Sequence, residues 1–219
     1  MITLGDMKKV LLFFALVALL AGCGKDNSIG QKESRAALED AAVIAFPGAE
    51  GAGKFTKGGR GGDVYHVTTL QDSGPGSFRE GIESIEGPRT IVFDVSGTIR
   101  LKKDVKIKDV SYLTVAGQTA PGKGITFADR NLRIENCSHI IARYFRLRLG
   151  DENKPDGTSL DCVTINYSDH VILDHLSLSW GIDGNGDFRG LQYTTLQWLI
   201  FSEALHDSLH GKGAHAMCT

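Results

Sequence analysis

The sequence predicts an all-β chain whose short strands stack at a coarse period, and three observations carry that prediction. The periodic segments after Ala45 are short and rich in β-branched residues, and no long helical pattern competes with them. Glycine is in excess, 27 of 219 residues against 5 prolines, which requires many tight turns. Three segments are also alike: Ser138-His139-Ile140-Ile141-Ala142-Arg143, Asp169-His170-Val171-Ile172-Leu173-Asp174 and Tyr193-Thr194-Thr195-Leu196-Gln197-Trp198. His139 to His170 is a step of about 31 residues and His170 to Thr194 one of about 24, the loose repeat of a solenoid with variable loops. A β-sandwich also makes short strands with glycine turns, so these patterns alone leave both architectures open.

The first element is an address. Lys8 and Lys9 precede an apolar run over residues 10–22, the length of a signal-peptide core and too short to cross a bilayer comfortably. The run ends in Leu20-Ala21-Gly22-Cys23, which resembles a bacterial lipobox with the Cys23 thiol as lipid acceptor. Residues 1–22 are therefore expected to be a lipoprotein signal peptide. The mature chain is expected at the bacterial cell envelope, in the periplasm or on the outer-membrane surface, touching the membrane through its lipid alone. Residues 23–42 turn polar and offer little to pack, so they read as a tether, with one short helix over 35–42. Residues 43–219 are left for the folded domain.

Within that domain, strands are expected over residues 64–67, 90–95, 113–116, 140–148, 171–178 and 194–201. Along 140–148, simple alternation puts Ile140, Ala142 and Tyr144 on one face and Ile141, Arg143 and Phe145 on the other, only one of them core. Arg143 and Arg146 then fall on opposite faces, which predicts a turn or bulge inside the segment. Besides Cys23 there are three cysteines, Cys137, Cys162 and Cys218. An odd set leaves at least one free thiol, and buried thiols act as small apolar residues.

Charge narrows the function classes. With 24 basic against 26 acidic side chains and 42% hydrophobic residues, the chain is neither a disordered tail nor a strongly basic nucleic-acid binder. No aromatic and basic interleaving suits single strands, so no nucleic-acid partner is expected. No Gly-x-Ser-x-Gly elbow supports serine-hydrolase chemistry. Two loops gather hard oxygen donors, Asp156-Gly157-Thr158-Ser159-Leu160-Asp161 and Asp183-Gly184-Asn185-Gly186-Asp187. Calcium takes six to eight oxygens, and alternate residues such as Asp183, Asn185 and Asp187 let a tight loop present several. Phe188 and Thr194 stand where an EF-hand needs glycine and glutamate, so that motif is excluded. Neighbouring carboxylates among Asp161, Asp174, Asp183 and Asp187 also leave glycoside hydrolysis open. Asp174 and His175 lie in an apolar strand and must be paired wherever they point inward. His206, His210 and His215 have spacings that could suit zinc, but no thiolate or carboxylate lies at a diagnostic distance, so zinc is not expected. Gly58-Gly59-Arg60-Gly61-Gly62 matches neither phosphate-loop pattern and reads as a flexible surface turn.

Several stretches together are specific: Ala45-Phe46-Pro47-Gly48-Ala49-Glu50-Gly51, the Gly58-Gly59-Arg60-Gly61-Gly62 turn, Asp72-Ser73-Gly74-Pro75-Gly76-Ser77-Phe78-Arg79, Ile91-Val92-Phe93-Asp94-Val95-Ser96-Gly97-Thr98-Ile99 and Ala116-Gly117-Gln118-Thr119-Ala120-Pro121-Gly122. With Arg146-Leu147-Arg148-Leu149-Gly150-Asp151, Ile172-Leu173-Asp174-His175 and Ser179-Trp180-Gly181-Ile182-Asp183, they resemble bacterial pectate lyases of the first polysaccharide lyase family. The resemblance implies an all-β right-handed parallel β-helix, here its N-terminal part and incomplete at the C-terminus. It also implies calcium-dependent β-elimination of polygalacturonate, with Ca2+ as cofactor, pectate as the acidic polysaccharide partner, and a monomer. A calcium ion beside the uronate carboxylate neutralises the charge that develops when the C5 proton leaves.

By the same resemblance Asp161 corresponds to an acidic metal ligand, Asp183 and Asp187 flank the next such position, and Lys212 resembles a lysine that binds a substrate carboxylate. Asp174 and His175 match a landmark of structural character. Ser159 and Gly184 depart from the pattern where relatives carry acids, which implies a weaker or rearranged metal site. The family's arginine base lies beyond residue 219, so no catalytic residue is assigned and this stretch is expected to be inactive by itself. The alternatives are a non-catalytic polysaccharide-binding or adhesive β-helix and a β-helical glycoside hydrolase.

Overall fold

The structure is a computed structural model that describes residues 43–152, 154–215 and 217–218. The expected signal peptide, Cys23, the tether and the helix over 35–42 lie outside the described residues. From Ile44 onward the chain forms one compact unit.

The unit is a parallel β-helix. Strand β1 (Asp63–Val67) opens sheet A, and the next coil lays β2 (Arg89–Phe93), β3 (Gly97–Arg100) and β4 (Val105–Lys108) on sheets A, B and C in turn. Later coils repeat the order with β5 (Ser111–Ala116), β6 (Ile125–Ala128) and β7 (Leu132–Glu135), then β8 (Ser138–Arg143), β9 (Phe145–Arg148) and β10 (Val163–Asn166). The last described coils give β11 (Asp169–Asp174), β12 (Ser177–Ser179) and β13 (Gly186–Arg189), then β14 (Thr195–Gln197) and β15 (Ile200–Ser202). Each strand pairs in parallel with its counterpart one coil away, so like residues stack into ladders. Leu113 lies on Ile140 and Ile140 on Val171 in sheet A; Ile99, Phe127, Leu147 and Leu178 line up in sheet B; Ile107, Ile134 and Ile165 do so in sheet C. All of these fill the interior. Cys137 and Cys162 are buried among them as free thiols, while Cys218 is exposed. Burial pushes the Cys162 thiol up to about 12, so it behaves as an apolar residue.

The sequence repeat is real with one correction. Ile140 pairs with Val171, the expected step, but Ile172 pairs with Thr195, which makes the next step 23 residues and stacks His170 on Tyr193 at 4.8 Å rather than on Thr194. The bulge expected inside 140–148 is the corner between β8 and β9. Tyr144 adopts φ 59° there and turns outward, which rephases the chain so that Phe145 enters the core. His175 and Trp198 occupy the same corner one and two coils later, at φ 53° and 54°. Tyr144 stacks on His175 at 4.5 Å, so ring contact accompanies a backbone conformation that side chains with a Cβ rarely adopt.

One expectation fails and a second holds only in part, for a common reason: the segment before β1 is a strap across the outside of sheet A. Gly53 donates its N–H to Thr195 Oγ1 at 2.8 Å, and Gly59 donates to Thr114 Oγ1 at 2.9 Å, so the strap reaches from β14 back to β5. It covers Ile141 and Ile172 with Phe46 and Ala49, and both faces of β8 are therefore buried rather than one. The Gly58-Gly59-Arg60-Gly61-Gly62 stretch is a turn, as expected, with Arg60, Gly61 and Gly62 at the surface, but Gly58 and Gly59 are buried against sheet A. A Cβ at Gly59 would stand 1.9 Å from the Arg89 carbonyl oxygen, so glycine is what lets two backbones touch. Asp174, on the same outward face of β11 as Ile172, fastens this arrangement from beneath the strap. Its buried carboxylate accepts from Arg143 Nε at 2.7 Å and from Gln197 Nε2 at 2.7 Å, and Gln197 in turn donates to the strap at Gly48 O. Burial pushes the Asp174 carboxyl up, but Arg143, Gln197 and His175 outweigh it and hold it below the ordinary value.

The N-terminal end is closed by α1 (Phe78–Glu83). Ser77 caps it by accepting from Glu80 N, and Phe78 packs on Phe127 at 4.5 Å. Arg79, buried, bridges Asp72 at 2.7 Å and the carbonyls of Lys103 and Asp104. The motif from Asp72 to Arg79 is thus a cap for the solenoid's first coils.

Candidate functional site

The expected ligand residues lie where sheet B hands over to sheet C. Asp161 precedes β10, Asp183 precedes β13, and Asp187 is the second residue of β13. Strands β10 and β13 pair with Val163 opposite Gly186 and Thr164 opposite Asp187, and Cys162 N donates to Gly184 O. That register carries Asp161 over Gly184. A Cβ on Gly184 would stand 2.9 Å from Asp161 Oδ1, so glycine at this position makes room for the Asp161 carboxylate.

Asp161 lies near enough to Asp183 and Asp187 for both charges to act on it, although among the described residues the acids and histidines whose ligand atoms gather within 4.8 Å are Asp183, His210 and His215. The Asp161 carboxyl is pushed up to about 6, first by burial and then by the negative charges of Asp183 and Asp187. Asp183 is displaced the other way. Burial raises it, but hydrogen bonds from Ser159 and His215 and the nearby His210 outweigh that and hold it below the ordinary aspartate value. Asp187 is bridged by Arg189 at 2.6 Å. Asn185, expected beside them as an oxygen donor, is fully buried; it accepts from Gly181 N and donates to Ser202 O, so it braces the loop and faces no ligand.

The histidine-rich segment, set aside in the sequence for want of a carboxylate, finds one here. Met217 N donates to Asp183 O and Asn185 N to Met217 O, which docks the segment onto the Asp183 loop as though it were the next strand. His215 Nε2 lies 2.8 Å and His210 Nε2 3.4 Å from Asp183 Oδ1. The two imidazoles stack at 4.2 Å with 15° between their planes. Ser159 donates to Asp183 Oδ2 at 2.7 Å and lies 3.2 Å from His210 Nε2. Ser159 thus holds the Asp183 carboxylate in place. His206 contributes only its carbonyl, which accepts from His215 N. Lys212 is exposed on the same loop, and its backbone N–H donates to His210 Nδ1 at 3.1 Å. Sequence reading missed the carboxylate–imidazole contact because coil stacking, not spacing along the chain, creates it. It also missed the Asp187 and Arg189 pair, which the alternate-residue spacing on one strand face would have revealed.

A cavity of about 450 Å3 lies on the sheet B side of the same corner, lined by Arg100, Asp129, Arg148, Asp151 and Trp180 among others, and includes none of the expected ligands.

The chain is similar in sequence and in fold to several known proteins. No family model matches the chain. A probable pectate lyase C of Emericella nidulans is 40% identical over 165 residues, 75% of this chain and 38% of that protein. The probable pectate lyase C of Aspergillus terreus is 39% identical with the same coverage. Pectate lyase 5 of Ambrosia artemisiifolia is 28% identical over 210 residues, 89% of this chain and 50% of that protein. Among solved structures, the major cedar-pollen allergen Jun a 1 superposes with a TM-score of 0.57 at 25% identity, covering 79% of this chain and 51% of that one. The chain thus spans well under half the length of the fungal relatives it matches.

Proposed function

We propose that these coils are the N-terminal part of a pectate-lyase-like β-helix and bind the uronate backbone of pectate or polygalacturonate through a calcium ion held by Asp161, Asp183 and Asp187. The observation that carries this reading is the register that sets Asp161 over Gly184, between Asp183 and Asp187 of the next coil, where the charges of both acids help push its carboxyl up to about 6. Such crowding of negative charge favours a cation, and the donors are the hard oxygens that calcium prefers. Bound there, calcium would neutralise charge on the uronate carboxylate while the C5 proton leaves. Asp183, already held as the carboxylate by Ser159 and His215, would orient the ion, and exposed Lys212 would meet a second sugar carboxylate.

Turnover is a separate matter. Arg133 and Arg189, on the outward side of sheet C, are each bridged at 2.6 Å to an acid on their own strand, Glu135 and Asp187. For Arg189 that pairing raises the guanidinium above its ordinary value and opposes a role as base; with no base assigned in these coils, the reading proposed for them is binding without cleavage. Lipid attachment at Cys23 and delivery to the cell envelope belong to the same proposal and rest on the lipobox resemblance. One observation favours a second reading, a glycoside hydrolase: neighbouring acids displaced in opposite directions, Asp161 up and Asp183 down, suit an acid and base pair.

One assay separates these readings. Purified chain is run through polygalacturonate-containing gels with calcium or chelator, and the mixture is followed for ultraviolet absorbance of an unsaturated uronate and for new reducing ends. Calcium-dependent retardation, lost in Asp161→Asn, without either product is the expected outcome. Retardation indifferent to calcium overturns the cradle, and reducing ends without unsaturation establish the hydrolase.

A further inference from the structure

We propose that Asp183, His210 and His215 form a second cation site, one for a borderline divalent metal of the zinc class, whose ligand chemistry differs from that of the carboxylate group with which it shares Asp183. One ligand atom from each residue lies within 4.8 Å of the others. In a tetrahedral zinc site with bonds of about 2.0–2.1 Å, ligand atoms stand roughly 3.3 Å apart. His210 Nε2 is already 3.4 Å from Asp183 Oδ1, and His215 Nε2 at 2.8 Å needs only a small outward movement. Both Nε2 atoms face the same carboxylate oxygen, but the rings stack with 15° between their planes and their in-plane lone pairs run nearly parallel, so the imidazoles must tilt toward each other at Nε2 before one ion can replace the two hydrogen bonds with two metal bonds.

Imidazole nitrogen selects against calcium and for zinc, nickel or copper, whereas the Asp161 and Asp187 side of the cluster offers only oxygen. Two histidines and one carboxylate satisfy three positions and leave the fourth to water or to an oxygen of a bound acid. The surroundings fit a site held from behind. His210 is buried, and the loop that carries it is clamped by Gly157 N donating to Leu209 O and by Gly213 N donating to His210 O. Loading makes one specific demand. Lys212 N–H now donates to His210 Nδ1, so in this state the ring proton sits on Nε2, where the metal would bind. Metal at Nε2 moves that proton to Nδ1 and releases the Lys212 amide. Gly211 and Gly213 flank it, and Gly213, at φ 80° with open space around it, lets the segment turn.

The test uses the full chain, stripped of metal, with zinc and calcium titrated separately by calorimetry and the bound metal counted after dialysis. One zinc per chain is expected, weakened at least tenfold in His215→Ala and unaffected in Asp187→Asn and in Cys218→Ser, which removes the exposed thiol nearby. Cobalt(II) should give the intense visible bands of a tetrahedral site in wild type and lose them in His215→Ala, whose folding is verified by circular dichroism. The Lys212 amide resonance should move on loading. Zinc binding that survives both His215→Ala and His210→Asn, or that disappears in Cys218→Ser, overturns the proposal, as does an unmoved Lys212 amide. Failure of the calcium cradle would appear instead as calcium binding indifferent to Asp161→Asn and Asp187→Asn with zinc binding intact.

Discussion

Asp161 is the residue at which the fold and the candidate site pull against each other. Burial and the charges of Asp183 and Asp187 disfavour its anion and push the carboxyl up to about 6 from the ordinary 3.8. A raised folded pKa means that its contribution to stability is fully present below 3.8 and is lost as pH rises through about 6. The loss amounts to at most about 3 kcal/mol by linkage, and less because the side chain is partly exposed. In chelator, Asp161→Asn should therefore raise the melting temperature near neutral pH and leave it almost unchanged near pH 4, a comparison made by calorimetry at the two pH values. Added calcium should stabilise the wild type and do little for the variant. Asp174 obeys the opposite sign, since its partners hold it below the ordinary value: its contribution is present above that value and is lost as pH falls beneath it.

At the scale of the element, the strap before β1 does what a turn lying wholly at the surface would not. It ties β5, β8 and β14 together from outside through Thr114, Ile141 and Thr195, contacts that join residues far apart in sequence. Burying the outward Ile141 and Ile172 contributes roughly 1.5–3 kcal/mol for each side chain. Close approach makes the strap sensitive to a single methyl group. Gly59→Ala places a Cβ against the Arg89 carbonyl and should destabilise by about 1–3 kcal/mol in urea unfolding. Gly87→Ala, where nothing lies within 4 Å and the backbone is ordinary, should be close to neutral. Equal effects of the two substitutions would show that the strap does not press on sheet A.

For the whole molecule, stability lies in ladders that run across coils rather than in any one strand. Phe127 is 1% exposed and meets Phe78, Phe93 and Phe145 at centroid distances of 4.5, 6.2 and 5.3 Å, which joins the helical cap to three successive coils. Phe127→Ala should cost about 3–5 kcal/mol, read as a lowered urea midpoint. Strands of three to six residues cannot stand alone, so this loss should appear as one cooperative transition followed by both fluorescence and circular dichroism.

Much of this was legible in the residues, because stacking demands that like positions recur. The β-branched runs located sheet A, and the clash between Arg143 and Arg146 announced the corner at Tyr144. The short strands of sheets B and C were harder to see, since three or four residues between glycine-rich loops carry little periodic signal. At the site, residue chemistry drew attention to two acidic loops, and the family resemblance singled out Asp161, Asp183 and Asp187 within them. Residue chemistry also placed Asn185 among them wrongly, because alternate spacing assumes an extended loop, whereas this loop turns Asn185 inward to satisfy backbone groups. The sequence by itself determined short stacked strands and two loops rich in acids, both properties of local pattern and side-chain type, while a sandwich and a solenoid stayed open until the resemblance favoured the solenoid. Only the tertiary structure decided that a strap closes the outer face of sheet A and that His210 and His215 meet Asp183, because those contacts arise from the register between coils, which no local run of residues encodes.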